Sequence, residues 1–438
     1  MPPAIKYSMK TIFAAAVFFA WAATVFADPQ ITSWFTLDSG KFAQIYRTPT
    51  EKNSRQTETI WSNGRNTQLQ PAYCGVQKIV SSSNWIYVFS TGLASQIMGP
   101  WQNGNFPNLP TDQHFIFALP RHPHAETTNT FQRLFEIGLF VDGVRMFDSG
   151  DAWSYSTAAG REFGPGGGGG NGDRIWNRNA LVNEVRTFDA SFAHQQDRGT
   201  YHYHVEPIAL RYELGDHVDF DATTQTYHES SAAPTKHSPI LGWMQDGYPL
   251  YGPIGFSNPT NPASGLRRMI SGFVLRNGQN GADNLAQTGR TVLPAWDARE
   301  QNRPAALQSF ETGPNVNANF PLGHFMEDYA YLGDCGKTLG KDFDLDEFNG
   351  RWCVTPEFPQ GTYAYFTTID ARGWPVYPYN MGRRYHGHPN GQLVRGVFEP
   401  VTTNFLARAD TPPRSGNSPN QNSATLFWNP ATGNYEAK

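Results

Sequence analysis

The chain has 438 residues with a formal net charge of −4, and 14% of the residues are aromatic. This many aromatic side chains can bury a large core, which excludes disorder throughout, and the 42 Gly and 32 Pro exclude a coiled coil or a helical repeat array. The slightly acidic balance provides no basic surface for nucleic acid, so we expect no nucleic-acid partner.

The N-terminal segment has the pattern of a secretory signal peptide over residues 1–27. Lys6 and Lys10 precede a nearly continuous apolar run that ends at the small residue Ala27. We expect cleavage before Asp28, and the alternative is an uncleaved membrane anchor, for which the run is at the short end of the spanning range. No later apolar stretch is long enough to cross a membrane. The mature chain is therefore expected to be secreted, periplasmic or at the cell surface, without an integral span.

Short β-prone runs separated by turn residues predict a mostly β fold, with β-sandwich-like strands, long loops and few short helices. In the N-terminal half the expected strands are 77–80, 84–90, 114–119, 134–141 and 144–147. Asp142-Gly143 stands between the last two runs and is a strong hairpin signal.

The expected organisation along the chain is a lead-in over 28–74, a β domain over 75–402 and a polar tail over 403–438. The alternative is a division of the domain into two packed β subdomains with a boundary near 160–175, where a glycine-rich loop lies.

The three cysteines are expected to meet an oxidising compartment, which favours disulfides. Cys335 and Cys353 flank a short loop, which predicts a bond between them and leaves Cys74 free. The alternative is three free thiols.

Histidine pairs are the main candidates for chemistry. Of the 12 histidines, six stand in His-x-His pairs: His122 and His124, His202 and His204, His386 and His388. Only the middle pair lies in a β-prone run, and alternate residues of a strand lie about 6.5–7 Å apart on one face. Two imidazoles so placed can bind one zinc or copper ion. The alternative is a hydrogen-bonded pair lining a polar cleft.

A metal ion needs three or four donors, so other residues must complete such a site. The candidates are His194, just before the strand, and His237 and Asp246, which follow it in the sequence. Tyr201 and Tyr203 leave the strand on the opposite face and are expected to support it by packing.

The histidine strand has a partial repeat. The segment 199–204 reappears as 361–366 with both tyrosines kept, but Ala364 and Phe366 replace the two histidines. The chemistry is therefore expected in the first copy alone.

A second candidate site is acidic. Asp342, Asp344 and Asp346 alternate along the chain, and alternating carboxylates can wrap calcium. This pattern supports a different class of function, a secreted or cell-surface binding module. Its exposed Trp and Tyr side chains would stack on a carbohydrate or another extracellular polymer, and its aspartates would hold the calcium.

Several motifs, in order along the chain, resemble the YHYH domain family. They lie at 176–180, 188–190, 200–204, 237–253 and 344–358, and the resemblance covers roughly residues 75 to 400. The family comprises mostly bacterial exported proteins of unsettled activity, so the resemblance implies export but no reaction. The preferred hypothesis is an exported protein that binds a transition metal through its His-x-His strand, and the sequence leaves open whether it is an enzyme.

Overall fold

The computed structural model describes residues 28–62, 66–101, 108–126, 135–164, 172–300 and 312–407, and two short strands at 426–429 and 434–437. The predicted signal peptide at 1–27 lies outside these residues. Among the helices in the described ranges, none is both long and apolar enough to cross a membrane.

Strands dominate the described part of the chain, as the sequence predicted. The first thirteen in chain order are β1 Trp61–Ser62, β2 Thr67–Gln68, β3 Val76–Ser81, β4 Trp85–Ser90, β5 Phe115–Pro120, β6 Glu136–Phe140, β7 Arg145–Phe147, β8 Gly150–Ser156, β9 Arg161–Phe163, β10 Asn177–Asn179, β11 Ala193–Gln195, β12 Tyr201–Tyr203 and β13 Val218–Asp221. They continue with β14 Thr226–Glu229, β15 Ile240–Met244, β16 Pro249–Tyr251, β17 Ile254–Asn258, β18 Asn261–Arg268, β19 Phe273–Leu275, β20 Tyr329–Tyr331, β21 Gly350–Cys353, β22 Thr362–Phe366, β23 Gln392–Val394, β24 Thr402–Leu406, β25 Leu426–Asn429 and β26 Asn434–Ala437.

The helices in the described ranges are all short. They are α1 Pro29–Thr32, α2 Pro49–Ser54, α3 Ala180–Glu184, α4 Ile208–Glu213, α5 Leu285–Thr288 and α6 Ala295–Glu300, with 3-10 turns at Val185–Thr187 and Met326–Asp328. Helix α3 begins where the Asn179 side chain accepts a hydrogen bond from Leu181 N, which satisfies one of the otherwise unbonded amides of the first turn.

Two sheets form the sandwich. One has the strand order β23-β5-β4-β3-β24, and the other has the order β11-β12-β7-β6-β15-β16-β22-β21. A single apolar cluster joins them, because it contains Ile79 and Phe117 from the first sheet and Leu139, Tyr203 and Tyr365 from the second. The core therefore lies between the two facing sheets. The predicted mostly β, sandwich-like architecture is confirmed.

The eight-stranded sheet is covered on its other face as well. A second cluster of buried side chains includes Leu181 and Phe188 from the segment around α3, together with Met326 and Tyr379. This layer places α3 over the face of β12 that is turned away from the sandwich core.

The eight-stranded sheet consists of two halves with the same strand arrangement. The β6–β7 hairpin is followed by the β11–β12 pair, and β12 lies parallel beside β7. The β15–β16 hairpin is likewise followed by the β21–β22 pair, and β22 lies parallel beside β16. The two halves meet through the antiparallel pair β6–β15. The repeat seen in the sequence is therefore a repeat of the sheet, with β12 and β22 in equivalent places.

The ends of the expected β domain contribute to the sandwich. Trp34 and Ile45, from the lead-in, are buried in the main cluster. Strand β24, at the start of the predicted polar tail, pairs antiparallel with β3.

The predicted disulfide requires correction, because Cys74, Cys335 and Cys353 are all free thiols. Cys353 ends β21 in the eight-stranded sheet, whereas Cys335 follows β20, which pairs only with β19 in a separate two-stranded sheet. The short separation along the chain does not bring the two sulfurs into a bond.

Candidate metal centre

Strand pairing brings a third histidine to the predicted pair. In the antiparallel pair of β11 with β12, His194 lies directly opposite His202, so its side chain is on the same face as those of His202 and His204. One ring nitrogen from each of the three lies within 4.8 Å of the others, and all three residues are buried. We call this group the histidine trio.

The Nδ1 atom of each imidazole in the trio has its own partner. His202 Nδ1 lies 2.9 Å from the carbonyl oxygen of Thr200, and His204 Nδ1 lies 2.6 Å from that of Asp148. His194 Nδ1 lies 2.9 Å from the Thr187 hydroxyl, which itself donates to the carbonyl oxygen of Glu184 at 2.6 Å.

These partners determine the tautomers. A carbonyl oxygen only accepts, so Nδ1 of His202 and of His204 must carry the hydrogen. The hydrogen of the Thr187 hydroxyl is already donated, so this oxygen accepts from His194 Nδ1 as well. In each neutral ring the Nε2 atom then carries a lone pair. The Nε2 atoms of His202 and His204 lie only 3.1 Å apart.

A carboxylate lies at the same point. Glu184 is the last residue of α3, and its Oε2 atom lies 3.4 Å from His204 Nε2 and 3.7 Å from His194 Nε2. This oxygen is buried and accepts no hydrogen bond from the described residues. Three imidazole lone pairs therefore converge, and one carboxylate oxygen lies beside two of them.

Aromatic rings fix the positions of the imidazoles. Phe147 of β7 stacks on His202 with ring centroids 3.9 Å apart, and Phe188 contacts His194 edge-on at 4.8 Å. The three histidines are 4% exposed or less, so little of each imidazole faces bulk water.

Burial lowers the pKa of each imidazole in the trio. It lowers the pKa of His204 to about 4. For His194, burial lowers the pKa and the neighbouring His202 and His204 lower it further. Burial, with a smaller contribution from the Asp151 carboxylate, raises the pKa of Glu184 well above its usual value. All four effects have the same physical origin, because a low-dielectric site disfavours unpaired charge.

One known protein family matches the chain. The YHYH protein family model matches residues 116–378, which is more than half of the chain. The chain belongs to the YHYH protein family. The matched range contains the whole eight-stranded sheet and the trio, and the Tyr-His-Tyr-His tetrapeptide is Tyr201 to His204. A search of curated proteins and of solved structures finds no match.

The tyrosines of the tetrapeptide pack on the sandwich side of the sheet. Tyr201 and Tyr203 are fully buried in the main cluster. The Tyr201 hydroxyl donates to Asp189 Oδ2 at 2.7 Å, and the Tyr203 hydroxyl accepts from Gln96 Nε2 at 2.7 Å.

Two of the predicted ligands are not brought to the trio. The His237 ring lies against Tyr251 and Phe256, and its Nδ1 lies 2.7 Å from the carbonyl oxygen of Ser238. Asp246 lies in the turn between β15 and β16, where it accepts from the Tyr365 hydroxyl at 2.6 Å. Both residues belong to the second half of the sheet.

The three aspartates proposed for calcium do not converge. Asp344 forms a two-pronged ion pair with Arg267, whereas Asp342 accepts from Thr338 N and Asp346 accepts from the Tyr363 hydroxyl. Since each carboxylate has a different protein partner, this arrangement offers no shared cation position. The exposed Trp352 and Trp374 are side chains that a carbohydrate surface could use, and that alternative stays a prediction.

The other histidine pairs lie in neighbouring loops. An isolated bridge joins Ala125 to Gly387, and the rings of His124 and His388 stack with centroids 6.0 Å apart. His388 is paired with Glu126. These pairs do not form a three-ligand group in the described part of the chain.

Sequence reasoning missed Glu184 and Thr187. Both lie between two of the family motifs, at 176–180 and 188–190. The signal in the sequence was Asn179, because asparagine often caps the N-terminus of a helix. The helix that it begins ends at Glu184, which lies over the histidine strand.

Proposed function

We propose that the chain binds a divalent transition-metal ion, zinc or copper, through His194, His202 and His204. The observation that carries the proposal is the convergence of three imidazole lone pairs, each oriented by a hydrogen bond at its Nδ1 atom. Metal-ligating histidines in proteins are usually held in this way, with the second ring nitrogen donating to a carbonyl or another acceptor.

The 3.1 Å approach of His202 Nε2 to His204 Nε2 supports a cation at this point. Two lone pairs at this distance repel each other unless a positive species lies beside them. A proton could play this role, but burial lowers the pKa of both rings, so the neutral forms prevail at neutral pH. A metal ion satisfies several lone pairs at once.

The spacing fits a metal ion. Donors about 2.1 Å from a tetrahedral zinc ion lie about 3.4 Å from one another. The 3.1 Å separation of His202 Nε2 from His204 Nε2 lies close to this value. Glu184 lies beside these donors, with its Oε2 atom 3.4 Å from His204 Nε2.

We propose that the protein binds this ion outside the cytoplasm. The signal-peptide pattern at 1–27 supports export, so the metal would be acquired outside the cytoplasm. Metal binding of this kind is compatible with an enzyme and with a metal-handling protein.

The test is a metal titration of purified mature protein with zinc and with copper. We expect one equivalent to bind, and we expect His194→Ala, His202→Ala and His204→Ala each to abolish retention after gel filtration. The matched control is His237→Ala, which removes another buried histidine but should keep the metal. Wild-type protein that binds neither ion above a nonspecific level would refute the proposal.

A further inference from the structure

We infer that the trio and its cavity form a hydrolytic site for small neutral esters, with Glu184 as the general base. This inference rests on the proposed metal binding and goes beyond it by naming a reaction and a substrate class.

A cavity of about 100 Å³ opens beside the trio. Its lining includes the apolar residues Phe135, Phe147 and Ala152 and the acidic residues Asp148, Asp151 and Glu184. A water molecule occupies about 30 Å³ in the liquid and drug-sized ligands need about 300 Å³ or more. The space therefore suits an acyl group of a few carbon atoms, and a larger leaving group must extend out of the opening.

Three histidine ligands are the donor set of a catalytic zinc ion whose fourth position is open to water or substrate. The cavity reaches all three histidines, so that position is accessible. A divalent ion held there lowers the pKa of a water molecule bound to it and polarises a carbonyl oxygen.

Glu184 is placed to move the proton. Its Oε2 atom lies beside the histidine donors, 3.7 Å from His194 Nε2 and 3.4 Å from His204 Nε2. Its side chain is 22% exposed and lines the cavity. A carboxylate in this place can accept a proton from the attacking water and later return it.

The charges of the residues that line the cavity favour an uncharged substrate. No Lys or Arg is among the described residues that line the cavity. Arg383 and Arg178 lie behind it, paired with Asp148 at 3.1 Å and with Asp151 at 2.6 Å. A phosphate ester needs several cationic groups facing its oxygens, and beside the ion itself it would meet carboxylates rather than cationic side chains. An uncharged carbonyl group has no such requirement.

The proposed step is a balanced hydrolysis. The water oxygen forms a bond to the acyl carbon while its proton passes to Glu184. The bond from that carbon to the alcohol oxygen then breaks, and Glu184 returns the proton to the departing oxygen. One ester and one water give one carboxylic acid and one alcohol, without oxidation or reduction.

The experiment measures zinc content and ester turnover on the same zinc-loaded protein. We expect p-nitrophenyl acetate and butyrate to be hydrolysed, the octanoate to be slower, and p-nitrophenyl phosphate not to react. Glu184→Gln should keep its zinc but lose about 100-fold or more of the turnover, whereas Glu357→Gln, a carboxylate variant elsewhere in the chain, should resemble wild type. His202→Ala gives the metal-free baseline.

The outcomes separate the two proposals. Zinc bound without ester turnover above the His202→Ala baseline would overturn the hydrolytic inference and leave metal binding intact. Loss of zinc from Glu184→Gln would make Glu184 a fourth ligand of a closed site and would also overturn it. Preference for the phosphate ester would overturn the substrate class. No zinc bound by wild type would contradict the metal site itself.

Discussion

Hydrogen bonds at Nδ1 determine which ring nitrogen of each histidine in the trio carries a lone pair. The Thr200 and Asp148 carbonyl oxygens fix two of the rings as Nδ1–H tautomers, so chemistry at these rings is confined to Nε2. His194 depends on a side chain instead, because its Nδ1 partner is the Thr187 hydroxyl. That hydroxyl is the one Nδ1 partner in the trio that comes from a side chain, so a substitution can remove it.

We therefore expect Thr187→Val to lower metal affinity by about 10- to 100-fold, the usual effect of losing such an orienting partner. Valine matches threonine in shape but cannot accept the hydrogen bond from His194. Thr187→Ser keeps the hydroxyl and should keep the affinity. Competition with a chromophoric chelator measures all three dissociation constants, and equal values for the valine and serine variants would contradict this account.

The two halves of the eight-stranded sheet differ at the element that bears the chemistry. On β21, Arg351 pairs with Ala364 in the same register as His194 with His202 on β11. The Arg351 guanidinium lies 5.3 Å from the centroid of the Phe366 ring. The equivalent place in the second half therefore holds a cation and an aromatic ring where the first half holds imidazoles.

The hairpins that begin each half turn at an Asp-Gly pair, and the glycine of the second is tightly confined. Gly247 has φ +85°, and a Cβ atom there would lie 2.6 Å from the Pro120 carbonyl oxygen. Gly265 has a similar φ of +88° but nothing within 4 Å. We expect Gly265→Ala to cost about 1–2 kcal/mol from the left-handed backbone alone.

Gly247→Ala should destabilise the fold by clearly more than its Gly265 counterpart, because the backbone must also move away from Pro120. Urea unfolding of the two variants beside wild type measures the difference. Equal losses would show that the close approach of the two backbones contributes nothing.

Much of the fold could be predicted from the sequence, because strand alternation and turn chemistry act over a few residues. The strands at 77–80, 84–90 and 114–119 and the hairpin at Asp142-Gly143 correspond to β3, β4, β5 and the β6–β7 pair. Contacts made by folding one element over another were not predictable. Glu184 reaches the trio from a helix packed above the sheet. The short separation of Cys335 from Cys353 along the chain does not reveal that Cys335 lies in a turn after β20 while Cys353 lies in the eight-stranded sheet.

A bound metal ion should stabilise the whole molecule, because His194 lies on β11, His202 lies on β12 and His204 lies directly after β12. At an ion concentration about 100 times the dissociation constant, the gain is about 2.7 kcal/mol, which corresponds to a rise in Tm on the order of 5 °C. Thermal melting with zinc, and again after a chelator is added, measures it. His202→Ala should melt at one temperature in both conditions, and a zinc-dependent shift in that variant would place the ion elsewhere.

The β6–β15 contact joins the two halves of the eight-stranded sheet through equivalent strands, antiparallel, with Leu139 opposite Trp243. Two identical half-length chains would meet in this way about a two-fold axis. In the second half, Ala364 and Phe366 stand where the first half has His202 and His204. The molecule thus carries its own internal control, because the same strand arrangement forms without the imidazoles.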